Sequence, residues 1–167
     1  MTPAELLTEA FGRIAQAGRD VVDGLDEDQL AHRPVPDANP ITWLVWHLTR
    51  VQDDHVADVA GLEQVWTAQG FHEKFDLPFD ASATGYGQSS EQVAHVRVDA
   101  ERLAAYLAAV HEQTIGYVAG LTPEDLDRVV DDRWAPQVTL GVRLLSVVND
   151  DVQHLGQASY VRGLLGA

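Results

Sequence analysis

Asn149-Asp150-Asp151-Val152-Gln153-His154-Leu155-Gly156-Gln157 lies inside a longer run, Thr139 to Leu165, whose apolar residues at 140, 144, 145, 147, 148, 152, 155, 161 and 164 recur at helical spacing. An α-helix turns once every ~3.6 residues, so Asp150 and His154 leave one face a single turn apart. A carboxylate and an imidazole at that spacing can grip one metal ion, given a third donor from a facing helix. The run is therefore predicted as the last long helix of an all-α protein.

Working outward, three more long helical segments emerge. Thr2 and Glu5 form a capping box around Pro3, and Leu6, Leu7, Ala10, Phe11, Ile14, Val21 and Val22 follow at helical spacing to about Gly24. After a short turn at Asp26 to Gln29 and a proline-rich loop from Arg33 to Ala38, Asn39-Pro40 reads as the cap and first residue of a second helix reaching Gly61. Phe75 to Ser90, with Pro78, Gly85 and Gly87, is the longest irregular stretch; Ser89 with Gln92 opens a third helix running to about Gly120. Leu121-Thr122-Pro123-Glu124 turns into a short helical piece. Val129 to Gln137 is ambiguous, β-branched at first and broken by Pro136. Four amphipathic segments with long connections predict a four-helix bundle, and the even spread of apolar residues predicts a single domain over 1–167.

The third donor is sought on the second segment, where Trp43-Leu44-Val45-Trp46-His47-Leu48-Thr49-Arg50 sets a histidine among apolar residues. At ~100° per residue, Trp43, His47, Val51, Asp54 and Asp58 share a line beside the stripe Ile41, Leu44, Leu48 and Val59. On the last segment Arg143, Asp150, His154, Gln157 and Val161 run beside Leu140, Leu144, Val147, Val148 and Leu155. Both lines flank a core face, as residues lining a cleft between helices should, and the expected metal ligands are His47, Asp150 and His154. Asp151 falls nearer the centre of the apolar stripe and also meets His154, three residues on; geometry does not choose between the two carboxylates.

Each feature alone has a plainer reading. A histidine beside tryptophans is commonly a packing residue, and an Asp-His pair one turn apart is commonly a surface ion pair worth ~0.5 kcal/mol. The tryptophans and Tyr160 read as core, Asp53-Asp54 and Asp131-Asp132 as solvated surface, and His55 as a structural residue turned to the core. His32, His72, His95 and His111 show no useful pairing. Asp54, two turns beyond His47, is the one candidate for proton transfer. Gly156 is expected to permit close helix packing, and Gln157 to hydrogen-bond near the metal.

Charge narrows the partners. Eleven basic against 26 acidic residues leave −15, a field that repels nucleic acid and anionic membrane surfaces. No stretch is apolar and long enough to span a bilayer, and Met1 to Glu5 lacks the start of a signal peptide, so a cytoplasmic location is expected. With no cysteine, any thiol chemistry needs a thiol from outside. There is no His-Glu-x-x-His, no Gly-x-Ser-x-Gly and no phosphate-cradling loop; Gly85-Tyr86-Gly87 lacks the context for one.

The motifs Trp43-x-x-Trp46-His47-Leu48 and Asp150-x-x-x-His154-x-Gly156-Gln157-x-x-Tyr160-x-Arg162-Gly163 resemble the DinB-like superfamily, in particular the branch of mycothiol-dependent maleylpyruvate isomerase and related thiol transferases. The likeness extends over nearly the whole chain in length and motif order. It implies a four-helix bundle holding a divalent metal through one histidine of the second helix and two residues of the last. Matched position by position, the ligands are His47, Asp150 and His154, with Asp151 and Gln157 as neighbours behind them. Aspartate stands where relatives carry histidine or glutamate. Nitrogen and oxygen donors suit zinc, nickel, iron or manganese, with zinc or nickel expected; the resemblance further implies mycothiol as co-substrate and a small electrophile, for which Trp43 and Trp46 would be apolar walls, and a homodimer is expected. Two other functions remain open: a metal-dependent hydrolase of a small molecule, and a stress-associated helical dimerisation or binding protein without activity.

Overall fold

The computed structural model describes residues 1–166. Its elements are α1 (Pro3–Val22), α2 (Glu27–Leu30), α3 (Ile41–Ala60), α4 (Val65–Ala68), α5 (Phe71–Phe75), α6 (Ser90–Ala94), α7 (Ala100–Val118), α8 (Pro123–Leu126), a hairpin of β1 (Val129–Asp131) and β2 (Val138–Thr139), and α9 (Leu140–Leu165). The four long helices α1, α3, α7 and α9 pack as a bundle, α3 lying against α9 and α7, and α1 against α7 and α9.

Local chemistry sets most boundaries. The Thr2 hydroxyl and Glu5 carboxylate cap α1 reciprocally, and Gly61 closes α3 in the left-handed conformation (φ 66°). The Thr139 hydroxyl accepts from the Val142 N–H to start α9. At the far end of α9, Arg162 donates to the carbonyls of Asp20, Val21 and Asp23 at 2.8–3.1 Å, where the end of α1 leaves acceptors free. Phe11, Leu44, Leu48, Leu103, Leu107, Leu144 and Leu155 fill the bundle, each worth about 1.5–3 kcal/mol when buried.

Several sequence expectations need correction. Asn39 does not cap α3: Pro40, extended at φ −76° and ψ 161°, is the N-cap, without any side-chain hydrogen bond. Ser89 and Gln92 do form a capping box, but it starts only the five residues of α6. The chain then extends, burying the β-branched Val96 and Val98 on either side of exposed Arg97, and Thr42 Oγ1 hydrogen-bonds the backbone of Val98. Asp99, accepting from the Arg102 N–H, opens α7. The ambiguous segment is the antiparallel hairpin, with Val129 opposite Thr139 and Asp131 opposite Val138.

Asp53 and Asp131 are not solvated. Asp53 accepts from the backbone N–H of Val65 and Trp66 and from the Tyr106 hydroxyl, all at 2.8–2.9 Å, and lies 3.5 Å from the guanidinium of Arg50. It thus holds the start of α4 against α3, in a place the chain reaches only after a turn that helical projection does not foresee. Asp131 binds Arg133 at 2.7 Å and Arg143 at 3.3 Å, which keeps its carboxyl well below the usual carboxylate range, the Arg133 hydrogen bonds being the main cause. Tyr160 and Trp134 are exposed rather than core, as are Leu145, Val152 and Leu164 of α9. An added Cβ at Gly156 would meet nothing; the glycine that allows close helix packing is Gly18, where it would strike Leu107 of α7. Among the described residues no helix is long and apolar enough to cross a membrane.

Asp53→Ala leaves Arg50 buried without its counter-charge and frees two backbone N–H groups. A loss of about 3–5 kcal/mol in urea unfolding is expected. Asp132→Ala, exposed in the turn of the β1–β2 hairpin, should change stability by less than about 0.5 kcal/mol.

Candidate metal centre

The packing of α3 on α9 brings His47 against Asp150 and His154. One ligand atom from each lies within 4.8 Å of the other two, close enough for one ion to bridge all three after small side-chain rotations. His154 Nε2 stands 3.6 Å from Asp150 Oδ1, and the two imidazole rings meet edge to face with centroids 4.8 Å apart. The hydrogen bonds fix which nitrogen is available. The Thr84 carbonyl can only accept, so His47 carries its proton on Nδ1, 2.6 Å away; the Gln157 Oε1, 3.2 Å from His154 Nδ1, does the same for the second ring. Both histidines therefore present Nε2 to the site, that of His154 facing Asp150. Asp150 Oδ2 is buried without a hydrogen-bond partner among the described residues, an acceptor that a cation would satisfy. Two imidazoles and one carboxylate, one of whose oxygens is orphaned, suit a divalent ion with open positions.

The loop between α5 and α6 clamps His47 from outside. Gly85, at φ +96°, packs so tightly that an added Cβ would lie 2.7 Å from His47 Nδ1 and 3.0 Å from Trp46; only glycine gives both the conformation and the clearance. Arg50, buried one turn beyond His47, donates to the carbonyls of Ala83 and Ala81 at 3.1 and 3.4 Å and so fixes the loop from below. Trp43 stacks on the His47 ring, centroids 4.5 Å apart and 16° from parallel, and its indole N–H donates to Gln88. Burial lowers the His47 pKa, opposed by the hydrogen bond to Thr84, so the ring is neutral and ready to ligate.

Beside the donors opens a cleft of about 430 Å³, walled by Val51, Val147, Thr84 and Tyr86 and reached by His47, Asp150, Asp54 and His55. Trp43 and Trp46 are not its walls: both are buried behind His47, Trp46 packing on Trp66 and Phe79, because the loop covers that side of α3. The loop does reach the cleft, through Thr84 and Tyr86. Asp54 faces the cleft and takes the Gln64 amide on Oδ1. His55 is not turned to the core. It lines the cleft with Nδ1 2.8 Å from the Arg143 guanidinium, and burial, then Arg143, lowers its pKa. Asp151 is wholly buried, with neither oxygen hydrogen-bonded among the described residues, and desolvation raises its pKa well above the usual carboxylate range.

Sequence reasoning missed the Thr84 carbonyl, Gly85 and the His55–Arg143 pair. A backbone acceptor leaves no residue-type signal; Gly85 left one, since a glycine in a polar loop marks a left-handed turn or a close approach. Arg143 already stood on the line of Asp150 and His154, but its partner across the bundle was not foreseen.

The DinB superfamily profile matches residues 10–158, and the chain belongs to that superfamily. It is also similar to a conserved protein of Enterococcus faecalis known from a crystal structure, at 31% identity and a TM-score of 0.92, the match covering 100% of this chain and 99% of that one. Among curated proteins none matches.

A carboxyl whose folded pKa is raised binds a proton the unfolded chain has released, so Asp151 subtracts stability as pH rises from its ordinary 3.8 toward its folded value. Asp151→Asn removes that penalty. In urea unfolding of metal-free protein the variant should gain on the native chain across this window, by at most about 1.4 kcal/mol per pH unit. A difference independent of pH would mean that Asp151 is ionised in the fold.

Proposed function

We propose that this protein is a thiol-dependent transferase or isomerase of a small electrophile, holding a divalent metal, zinc or nickel, through His47, Asp150 and His154 and taking mycothiol as its thiol. The observation that carries the reading is the convergence of two imidazole nitrogens and an orphaned carboxylate oxygen on the edge of a cleft large enough for a small molecule. The likeness of the Trp43 to Leu48 and Asp150 to Gly163 motifs to the mycothiol-dependent branch supports the thiol, which a sequence without cysteine takes from outside.

When bound, the ion would supply Lewis acidity that favours thiolate over thiol at neutral pH. The chain does the rest. His47 and His154, with their outer nitrogens fixed by Thr84 and Gln157, keep the donor geometry constant. Asp54, whose Oδ2 accepts no hydrogen bond among the described residues and stands 3.9 Å from His55 Nδ1, is placed to take the proton released by the thiol. The sulfur lone pair then forms a bond to an electrophilic carbon seated between Val51 and Val147, and the displaced electron pair moves onto the substrate or its leaving group. Those apolar walls keep water from competing.

Zinc titration should give one site per chain and raise the melting temperature. His154→Ala should weaken zinc at least about 100-fold, having lost one of three ligands. Consumption of an electrophile by zinc-loaded protein should then require mycothiol; turnover that ignores the thiol replaces this reading with the hydrolase, and absence of zinc binding replaces both with a binding protein.

A further inference from the structure

The strongest feature outside the donor set is His55, on α3 two turns beyond His47. Arginine has donors and no acceptor, so the 2.8 Å contact with Arg143 obliges His55 Nδ1 to accept and puts the ring proton on Nε2. Arg143 is itself held by Asp131 at 3.3 Å, and Asp131 by Arg133 at 2.7 Å, a chain that runs from the hairpin through α9 to α3. His55 Nε2 has no partner among the described residues, yet it is not sealed in the interior, and its side chain is 37% exposed in the wall of the cleft. The charged groups around the ring are Arg143 and Asp150 of α9 and Asp54 and Asp58 of its own helix. Burial of the ring opposes its protonation, as does the guanidinium, while the aspartates favour it.

We propose that His55 is a neutral hydrogen-bond donor whose Nε2–H binds an uncharged oxygen of the substrate, a carbonyl for preference, with Arg143 as the positioning residue that fixes its tautomer. A neutral donor fits the charge of the cleft. Asp54 and Asp150 both face it, and Arg143 is already engaged by Asp131 and His55, so beside His55 the described residues offer a carboxylate no free counter-charge, and an anion would be drawn to the bound ion instead. An uncharged carbonyl meets no such penalty, and as a nucleophile adds to the substrate its oxygen gains negative charge that the fixed N–H stabilises. This inference rests on the cleft being the substrate site of the proposed reaction, but the state of His55 does not depend on a metal.

Two measurements test it separately from that reaction. Long-range proton–nitrogen NMR of the imidazole rings in metal-free, ¹⁵N-labelled protein should show His55 as the Nε2–H tautomer at neutral pH, and Arg143→Gln should mix the two tautomers. A native His55 that is protonated, or protonated on Nδ1, overturns the proposal whether or not zinc binds. In metal-free protein, N-methylsuccinimide should shift the His55 Nε2–H resonance while succinate does not. His55→Phe should weaken the imide about tenfold, the loss expected of one hydrogen bond, and His55→Gln should restore much of it through its amide N–H. Zinc affinity unchanged in both variants shows that the centre is intact. Failure of the imide to bind, equal binding to His55→Phe, or preference for succinate each refutes the recognition role.

Discussion

The packing of α3 against α9 is the constraint on which the rest of the structure depends. It buries Leu44, Leu48, Leu144 and Val147 between the helices and in doing so carries His47, from one end of the sequence, to within reach of Asp150 and His154 at the other. Neither helix holds a complete site. The donors meet only because each stands at the edge of its helix's apolar stripe, so that burying the stripes brings the edges together. What hydrophobic packing assembles, hydrogen bonds then sharpen: Thr84 and Gln157 select the nitrogen that each histidine turns inward.

The arrangement is stabilised elsewhere because the site itself is costly. Among the described residues nothing hydrogen-bonds Asp151 in the interior, and Asp150 keeps one buried oxygen unpartnered. Gly85 occupies backbone space that other residues do not readily enter. Against these stand the Asp53–Arg50–Tyr106 network and the cluster of Trp66, Phe71, Phe75 and Tyr106, which seat the irregular segment after α3 and so hold the loop over His47. Unsatisfied polar groups beside a cleft, supported by a well-satisfied network one layer behind, are what a preformed ligand site requires.

The helical part of the fold was legible because it is periodic. Thr2 with Glu5, Gly61, Thr139 and the apolar spacing of α9 announce helices by mechanisms local in sequence. The Ser89 box was equally genuine, but Val96 and Val98 gain more by packing extended than by continuing a helix, and nothing within a few residues reveals that. The same limit applies to acidic pairs. Asp53 and Asp131 look like surface until Val65, Trp66, Tyr106 and Arg143 arrive from other elements to satisfy them. At the site, the spacing of Asp150 and His154 and the position of His47 could be read from helical geometry. The choice of Asp150 over Asp151 came from the family resemblance, and the structure supplies its physical counterpart: Asp150 is the carboxylate brought into the cluster, while Asp151 is turned into the core. His55 lines the cleft and not the core: helical projection gives an angle and not the depth of the neighbouring helix.

The central claim is that His47, Asp150 and His154 share one ion, and anomalous diffraction from crystals grown with zinc tests it most directly. The account predicts a single strong peak about 2.0–2.2 Å from Nε2 of both histidines and from an oxygen of Asp150. A peak ligated by Asp151 in place of Asp150, or no peak at this cluster while zinc occupies other sites, would contradict it.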